Sequence, residues 1–260
     1  MPFDSSIVIT GSAEFDSTGS PTAPTGGASQ SGTLTRIVGT TTTTTTLSGT
    51  TITGADPLAG TLSDIGDGFG IAFNASGSFN GATSEIDELF GDYLFAIKNN
   101  SLIDTFIVNL KLDFNNQVSA SGADAFAQSE ISLDNVTSGT EIFFSDLTSD
   151  TVNGNQKFVF PDGTTNMASG FGGALTDIGS LILSFLLAPG AMINLGDGSF
   201  ELNVDGGAFA PGAFSAAVTT LLTVDSVVKQ QTPPTVPEPE TLLLLGIGLS
   251  LFRLANRRTQ

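Results

Sequence analysis

The feature that most constrains this chain is the strict alternation of Phe106–Phe114. Phe106, Val108, Leu110, Leu112 and Phe114 fall on one side of an extended strand, and Ile107, Asn109, Lys111 and Asp113 on the other. A period of two suits a strand with one face on a core and one in solvent, the habit of antiparallel sheets. The punctuation around it repeats along the chain. Gly (31 residues), Ser, Thr, Asn and Asp separate short runs of Phe, Val, Ile and Leu, and Phe (20 residues) supplies most of the aromatic mass. A hydrophobic content of 40% argues against disorder as the reading of so much Gly, Ser and Thr.

Other segments extend the pattern. Tyr93–Ile97, the turn Lys98–Ser101 and Phe106–Phe114 read as a hairpin-like pair. Ser6–Phe15 alternates weakly, and Val118–Leu133 alternates with Ala123, Ala125 and Ala127 on one side, small enough to let two sheets approach closely. Glu141–Phe144, Phe158–Phe160, Phe200–Val204 and Phe214–Val228 are further strands. The threonine run Thr40–Thr46 has high β propensity; it reads as an exposed edge strand or low-complexity sequence, with glycosylation or a flat ice-binding or glycan-binding face as the functional alternatives. Leu181–Leu187 is continuously apolar and stops at Ala188-Pro189-Gly190, which predicts a strand buried on both faces, with a helix over 174–187 as competitor. Ala82–Leu94 is the other helical candidate before the tail.

About nine to twelve strands with irregular turn spacing predict an all-β fold, an antiparallel two-sheet β-sandwich of Ig-like or jelly-roll type. No period of about 20–50 residues is evident, which disfavours a solenoid. The expected organisation is a body over 1–229, in which the Gly/Ser/Thr-rich 1–50 supplies edge strands and loops. A linker over 230–235 holding Pro233-Pro234 and a tail over 236–260 follow.

Charge narrows the function. The chain carries 26 acids against 8 bases. Arg253, Arg257 and Arg258 lie in the tail, so the body has only Arg36, Lys98, Lys111, Lys157 and Lys229. Such a surface repels phosphate backbones, so no nucleic-acid partner is expected, while association with divalent cations is favoured. There is no Cys, His or Trp. Disulfides, thiolate chemistry, Ser-His-Asp triads and histidine zinc sites are excluded, and the chain is expected not to be an enzyme. A glycosidase needs only two carboxylates, and Glu85, Asp87, Glu88, Glu130 and Glu141 are the candidates. Sugar clefts, however, stack rings on Trp or Tyr faces, and this body offers only Tyr93 besides Phe. No cofactor is expected. The weak exception is calcium: Asp64-Ile-Gly-Asp67-Gly68 and Asn194-Leu-Gly-Asp197-Gly198 put oxygen ligands beside turn glycines, making Asp64, Asp67 and Asp197 metal candidates, although neither matches a twelve-residue calcium loop and turns use the same residues.

The tail is an address. Leu242–Phe252 is uncharged and Leu-rich, and as a helix it spans about 17 Å, short of the roughly 30 Å hydrocarbon core. Taken over 241–256 it reaches about 24 Å, which serves if Arg253 snorkels toward the headgroups. A single transmembrane helix is therefore expected, with Arg253, Arg257 and Arg258 as stop and orientation signals holding the C-terminus in the cytoplasm. Pro237 and Pro239 deny the preceding stretch a helix and leave Val236–Glu240 extended and open to a processing enzyme.

Val236-Pro237-Glu238-Pro239, the Leu/Gly-rich span and Arg257-Arg258 resemble the PEP-CTERM sorting domain of Gram-negative bacterial exported proteins. The resemblance implies cleavage near the Pro-Glu-Pro site by an exosortase-type membrane protease and transient anchoring in the membrane. It also implies a place at the cell envelope or in the extracellular matrix, associated with exopolysaccharide and biofilm. It covers the tail and names no activity, so the expected function is that of a noncatalytic exported protein. A carbohydrate- or calcium-binding adhesin is the alternative, and a polysaccharide-active hydrolase comes third. The resemblance also implies a secretory leader. Met1-Pro-Phe-Asp4 has no basic region and Ile7–Ile9 is too short an apolar one, so either a leader lies upstream of Met1, or Met1 is the genuine start and the implied export does not hold.

Overall fold

The alternation is realised as strands throughout. The structure is a computed structural model, and it describes residues 1–15, 24–49, 52, 57–135, 140–160, 166–195 and 200–230. The strands are β1 (Ile7–Phe15), β2 (Ser29–Val38), β3 (Thr41–Ser48), β4 (Leu58–Leu62), β5 (Gly68–Ser78), β6 (Ser84–Asn99) and β7 (Phe106–Gly122). They continue as β8 (Ala125–Asn135), β9 (Thr140–Asp150), β10 (Gln156–Phe160), β11 (Gly173–Leu187), β12 (Met192–Leu195), β13 (Phe200–Ala208) and β14 (Gly212–Lys229). Two antiparallel sheets result. One has eight strands in the order β10-β9-β8-β13-β6-β1-β4, with β12 also pairing β6; the other has six in the order β11-β7-β14-β5-β2-β3. Met1–Lys229 form one compact unit.

The core lies between the inner faces. Phe106, Val108, Leu110 and Leu112 are buried on β7, as their alternation predicts. From the eight-stranded sheet come Ile9, Ile97, Ile131, Leu133, Leu202 and Val204, all at 1% exposure or less. Rings join the two layers: Phe15 to Phe73 with centroids 5.5 Å apart, Phe69 edge-on to Phe95 at 5.6 Å, and Phe114 to Phe143 at 4.9 Å. Such pairs add about 0.5–1.5 kcal/mol beyond area burial. Gly206 makes room for a further buried ring, since a Cβ there would fall 2.3 Å from the Phe214 ring.

Polar side chains also cross between the layers. Asn116, fully buried on β7, donates through Nδ2 to the Ser145 carbonyl (2.9 Å) and Ser145 Oγ (3.1 Å) on β9, and accepts from Ser129 Oγ on β8. The Tyr93 hydroxyl shares a 2.7 Å hydrogen bond with Thr220 Oγ1 on β14. A buried polar group costs stability unless partnered, and these groups find partners only when the sheets are correctly aligned.

Three expectations are corrected. Residues 82–94 are not helical; from Ser84 on they belong to β6, whose partners are β1, β12 and β13. Tyr93–Ile97 and Phe106–Phe114 are not a hairpin, because β6 and β7 belong to different sheets. The turn between them carries the chain across the sandwich. Buried Asn99 holds it by donating to the carbonyls of Asp104, Leu187 and Ala188. Leu181–Leu187 is a strand but not one buried on both faces: β11 is an edge strand, and Ile182 and Leu186 are 47% and 63% exposed. The threonine run forms β3, the other edge of the same sheet.

Candidate functional site

The outer faces of the two sheets carry different chemistry. On the eight-stranded sheet, register places Phe158, Asp146, Glu130, Asn203 and Phe90 in one row across five strands. The neighbouring row runs Phe144, Ser132, Glu201, Asp92, Glu14. On the other side Gln128 faces Asp205, and there the ladder with β6 shifts between Val204 and Gly206. Val204 pairs with Leu89 and Gly206 with Ile86, so Asp87 and Glu88 together oppose the single residue Asp205. A bulge of two residues against one thus crowds three carboxylates at one point.

The crowding shifts their ionisation. Burial, then Glu88, Asp87 and Glu85, push Asp205 up to about 6, against the pull of a backbone bond from Gly206. Burial and then Glu130 push Asp146 up to about 6. Glu88 is also raised, by burial first and then by Glu130, Glu201 and Asp87. Of the sequence candidates, the structure therefore brings Glu85, Asp87, Glu88 and Glu130 into one acidic field, and adds Asp146, Glu201 and Asp205, which sequence reasoning missed. Parity along β8, β9 and β13 puts these acids on outward faces, but only the pairing register joins them. Glu141 lies at the start of β9 and is exposed.

Beside this field the same face is hollowed into a groove of about 510 Å³, floored by Thr10, Ser12, Thr61, Leu94, Ala96 and Asn194. Its described lining offers hydroxyls, an amide, backbone and methyls, and no carboxylate. The volume is within the range of small-ligand sites.

The six-stranded sheet turns a nearly uncharged face outward. One row reads Thr46, Thr33, Ala72, Thr219, Asn115, Ile178, and the next Ser48, Ser31, Asn74, Ala217, Gln117, Thr176. Lys111 and Asp113 also lie on it, 2.8 Å apart as an ion pair.

Asp64 and Asp67 build a turn. Asp67, 1% exposed, accepts N–H bonds from Gly39 at Oδ1 (2.6 Å) and from Ser63 and Asp64 at Oδ2 (2.8 and 2.9 Å). Burial works to raise its pKa, but those three donors and the N-terminal ammonium outweigh it and hold the carboxyl below its ordinary value. Asp64 meets the N-terminal ammonium at 2.9 Å. In this arrangement the carboxylates are engaged by the chain's own donors. Among the described residues no group of three acids is placed to hold a metal ion. Asp197 lies outside the described residues.

Comparison with known proteins adds one decisive match. Residues 235–258 match the family model of the PEP-CTERM protein-sorting motif. The chain carries a PEP-CTERM sorting signal. Such signals are processed by exosortase, a membrane protease, and imply export with transient anchoring at the cell envelope. No curated protein matches the chain. Among solved structures it is similar to infectious bursal disease virus of the Gx strain, at 9% identity, covering 91% of this chain and 72% of that one with a TM-score of 0.15. It is likewise similar to the VP2 subviral particle of that virus, at 8% identity, covering 89% and 67% with a TM-score of 0.16. Scores this low carry no argument about fold or function. The PEP-CTERM residues Val236, Pro237, Glu238 and Pro239, the expected helix over 242–252, and Arg253, Arg257 and Arg258 lie outside the described residues. Among the described residues no helix is long and apolar enough to cross a membrane.

Proposed function

We propose that this chain is a noncatalytic exported protein of the cell surface or extracellular matrix, sorted by its PEP-CTERM signal and associated with exopolysaccharide and biofilm. The match of residues 235–258 carries the reading. In it Val236-Pro237-Glu238-Pro239 is recognised by the exosortase, Leu242–Phe252 enters the bilayer, and Arg253, Arg257 and Arg258 stop transfer with the C-terminus cytoplasmic. The body is a jelly-roll-type sandwich, a choice over the Ig-like type supported by a chain that changes sheet at most of its connections. A noncatalytic role is supported by a groove whose described lining holds no carboxylate, and by the absence of His and Cys from the sequence. The proposal is tested by deleting Arg257 and Arg258. Loss of membrane retention and of C-terminal processing is expected, and unchanged processing would refute the roles given to those residues.

A second reading, a carbohydrate-binding adhesin, is favoured by the hydroxyl- and amide-floored groove at Thr10, Ser12, Thr61 and Asn194. It predicts a thermal shift with at least one glycan of a broad panel, abolished by Ser12→Phe; no shift with any of them dismisses it.

A further inference from the structure

β11 is an edge strand of the six-stranded sheet. β7 is its strand partner on one side. At its N-terminal end the other side is covered: Lys157 Nζ on β10 donates to the Thr176 carbonyl at 2.6 Å and sits 3.6 Å from Asp177. Thr176 therefore turns its carbonyl to the free edge. In a regular strand the backbone groups of Ile178, Ser180, Ile182, Ser184 and Leu186 do the same, since successive residues alternate. Among the described residues no hydrogen bond is recorded to those groups. At the far end the strand stops at Leu187, whose carbonyl accepts from Asn99, followed by Ala188-Pro189-Gly190. The open window runs from Ile178 to Leu186, and Ile182 is its centre.

Natural edges of this length are protected by Pro, Lys, a bulge or an inward charge. This window has none of them, its pairing with β7 is without a register shift, and its outward side chains are uncharged, with three large apolar ones exposed: Ile178 65%, Ile182 47%, Leu186 63%. The outward sequence Ile178, Ser180, Ile182, Ser184, Leu186 reads nearly the same in both directions. Antiparallel pairing of two copies about Ile182 would set Ile178 against Leu186, Ser180 against Ser184 and Ile182 against Ile182, each pair exchanging two N–H···O bonds. On the inner side Leu181 would face Leu183, and the Phe185 ring would lie over Gly179. Charge points to the same occupant. The chain has a net charge of −18, which keeps copies apart, yet this window carries no charge.

We propose that two copies of this chain associate through β11, paired antiparallel in a register centred on Ile182, so that the six-stranded sheet runs continuously through both. A two-fold operation consumes the edge in each copy and closes the assembly. The strip is about 30 Å long and smaller than a standard stable interface, so the dimer forms at micromolar concentration or on a membrane.

The test uses the full chain in detergent, with its mass measured by light scattering up to about 100 μM. The expected result is a doubling of mass that is lost in Ile182→Lys and in Ser180→Pro. The proline removes an N–H that faces the free edge, leaves the ladder to β7 intact, and follows a glycine that tolerates it. Because the chain has no cysteine, Ile182→Cys should cross-link to itself with a short bis-maleimide, while Thr219→Cys, exposed in the middle of the same face, should not. A monomer at all concentrations, a dimer that survives both substitutions (as one held by the tail would), or equal cross-linking at both positions overturns the proposal.

Discussion

Stability should fall as the pH is raised from about 4.5 to 7.5, opposite to the trend for a protein whose carboxylates are mostly paired. Asp146 and Asp205 have their pKa raised in the folded state from the ordinary 3.8 to about 6. A carboxyl raised in this way favours the folded state below the unfolded pKa, and that contribution is lost as the pH rises through the folded pKa. The interval from 3.8 to about 6 corresponds to roughly 3 kcal/mol per group if fully shielded. Both side chains are partly exposed, and solvent screening reduces this to about 1 kcal/mol each. Together they amount to about 2 kcal/mol, or a loss of about 4–8 °C in Tm for a unit of this size. Asp67 and Asp150, lowered by backbone N–H donors that outweigh their burial, act in the opposite direction. Their contribution is present above 3.8 and disappears at more acid pH, so the maximum should lie near pH 4–5. Thermal melts across this range, by circular dichroism, measure the slope. The double variant Asp146→Asn/Asp205→Asn should flatten it and raise the Tm at pH 7.5. A Tm that climbs steadily from 4.5 to 7.5, or a slope unchanged in the double variant, would refute the reasoning.

Three further substitutions probe the interior. Asn116→Ala should cost about 3 kcal/mol in urea unfolding, because it strips the bonds to Ser145 and leaves Ser129 Oγ without its acceptor; a cost below about 1 kcal/mol would mean that Asn116 does not tie the sheets together. Tyr93→Phe should cost only about 1 kcal/mol, since Thr220 Oγ1 keeps its 3.3 Å bond to the Ile71 carbonyl, and a double-mutant cycle with Thr220→Val should show coupling between the two hydroxyls. Asp67→Ala should cost about 2–3 kcal/mol and speed hydrogen exchange at Gly39, Ser63 and Asp64, while amides on β8 remain protected.

The sequence made β7 legible because one strand face meets the core and the other meets solvent, so period two survives along Phe106–Phe114. It misled at β6 for a physical reason. The bulge at Asp87 and Glu88 resets the parity, spacing the buried Ile86, Leu89 and Tyr93 by three and four residues, the signature of an amphipathic helix. At β11 the unbroken apolar run hid which residues face the core, since the outward Ile178, Ile182 and Leu186 are as hydrophobic as the inward Leu183 and Leu187. Glu85, Asp87 and Glu88 could be seen as a cluster because they are adjacent in sequence. Their meeting with Glu130, Glu201 and Asp205 could not, because it depends on register between strands far apart in the chain. The tail was readable for the opposite reason: a sorting signal is recognised as a linear segment, and its meaning does not wait on a fold.

The most direct test of the account is mass spectrometry of the C-terminus of the protein recovered from exosortase-bearing cells, together with its fraction of origin. A chain outside the cytoplasm that ends near Pro239, lacking the span 242–252 and the arginines beyond it, is the predicted result. An intact chain that still ends at Gln260 and is found in the soluble cytoplasmic fraction would contradict it.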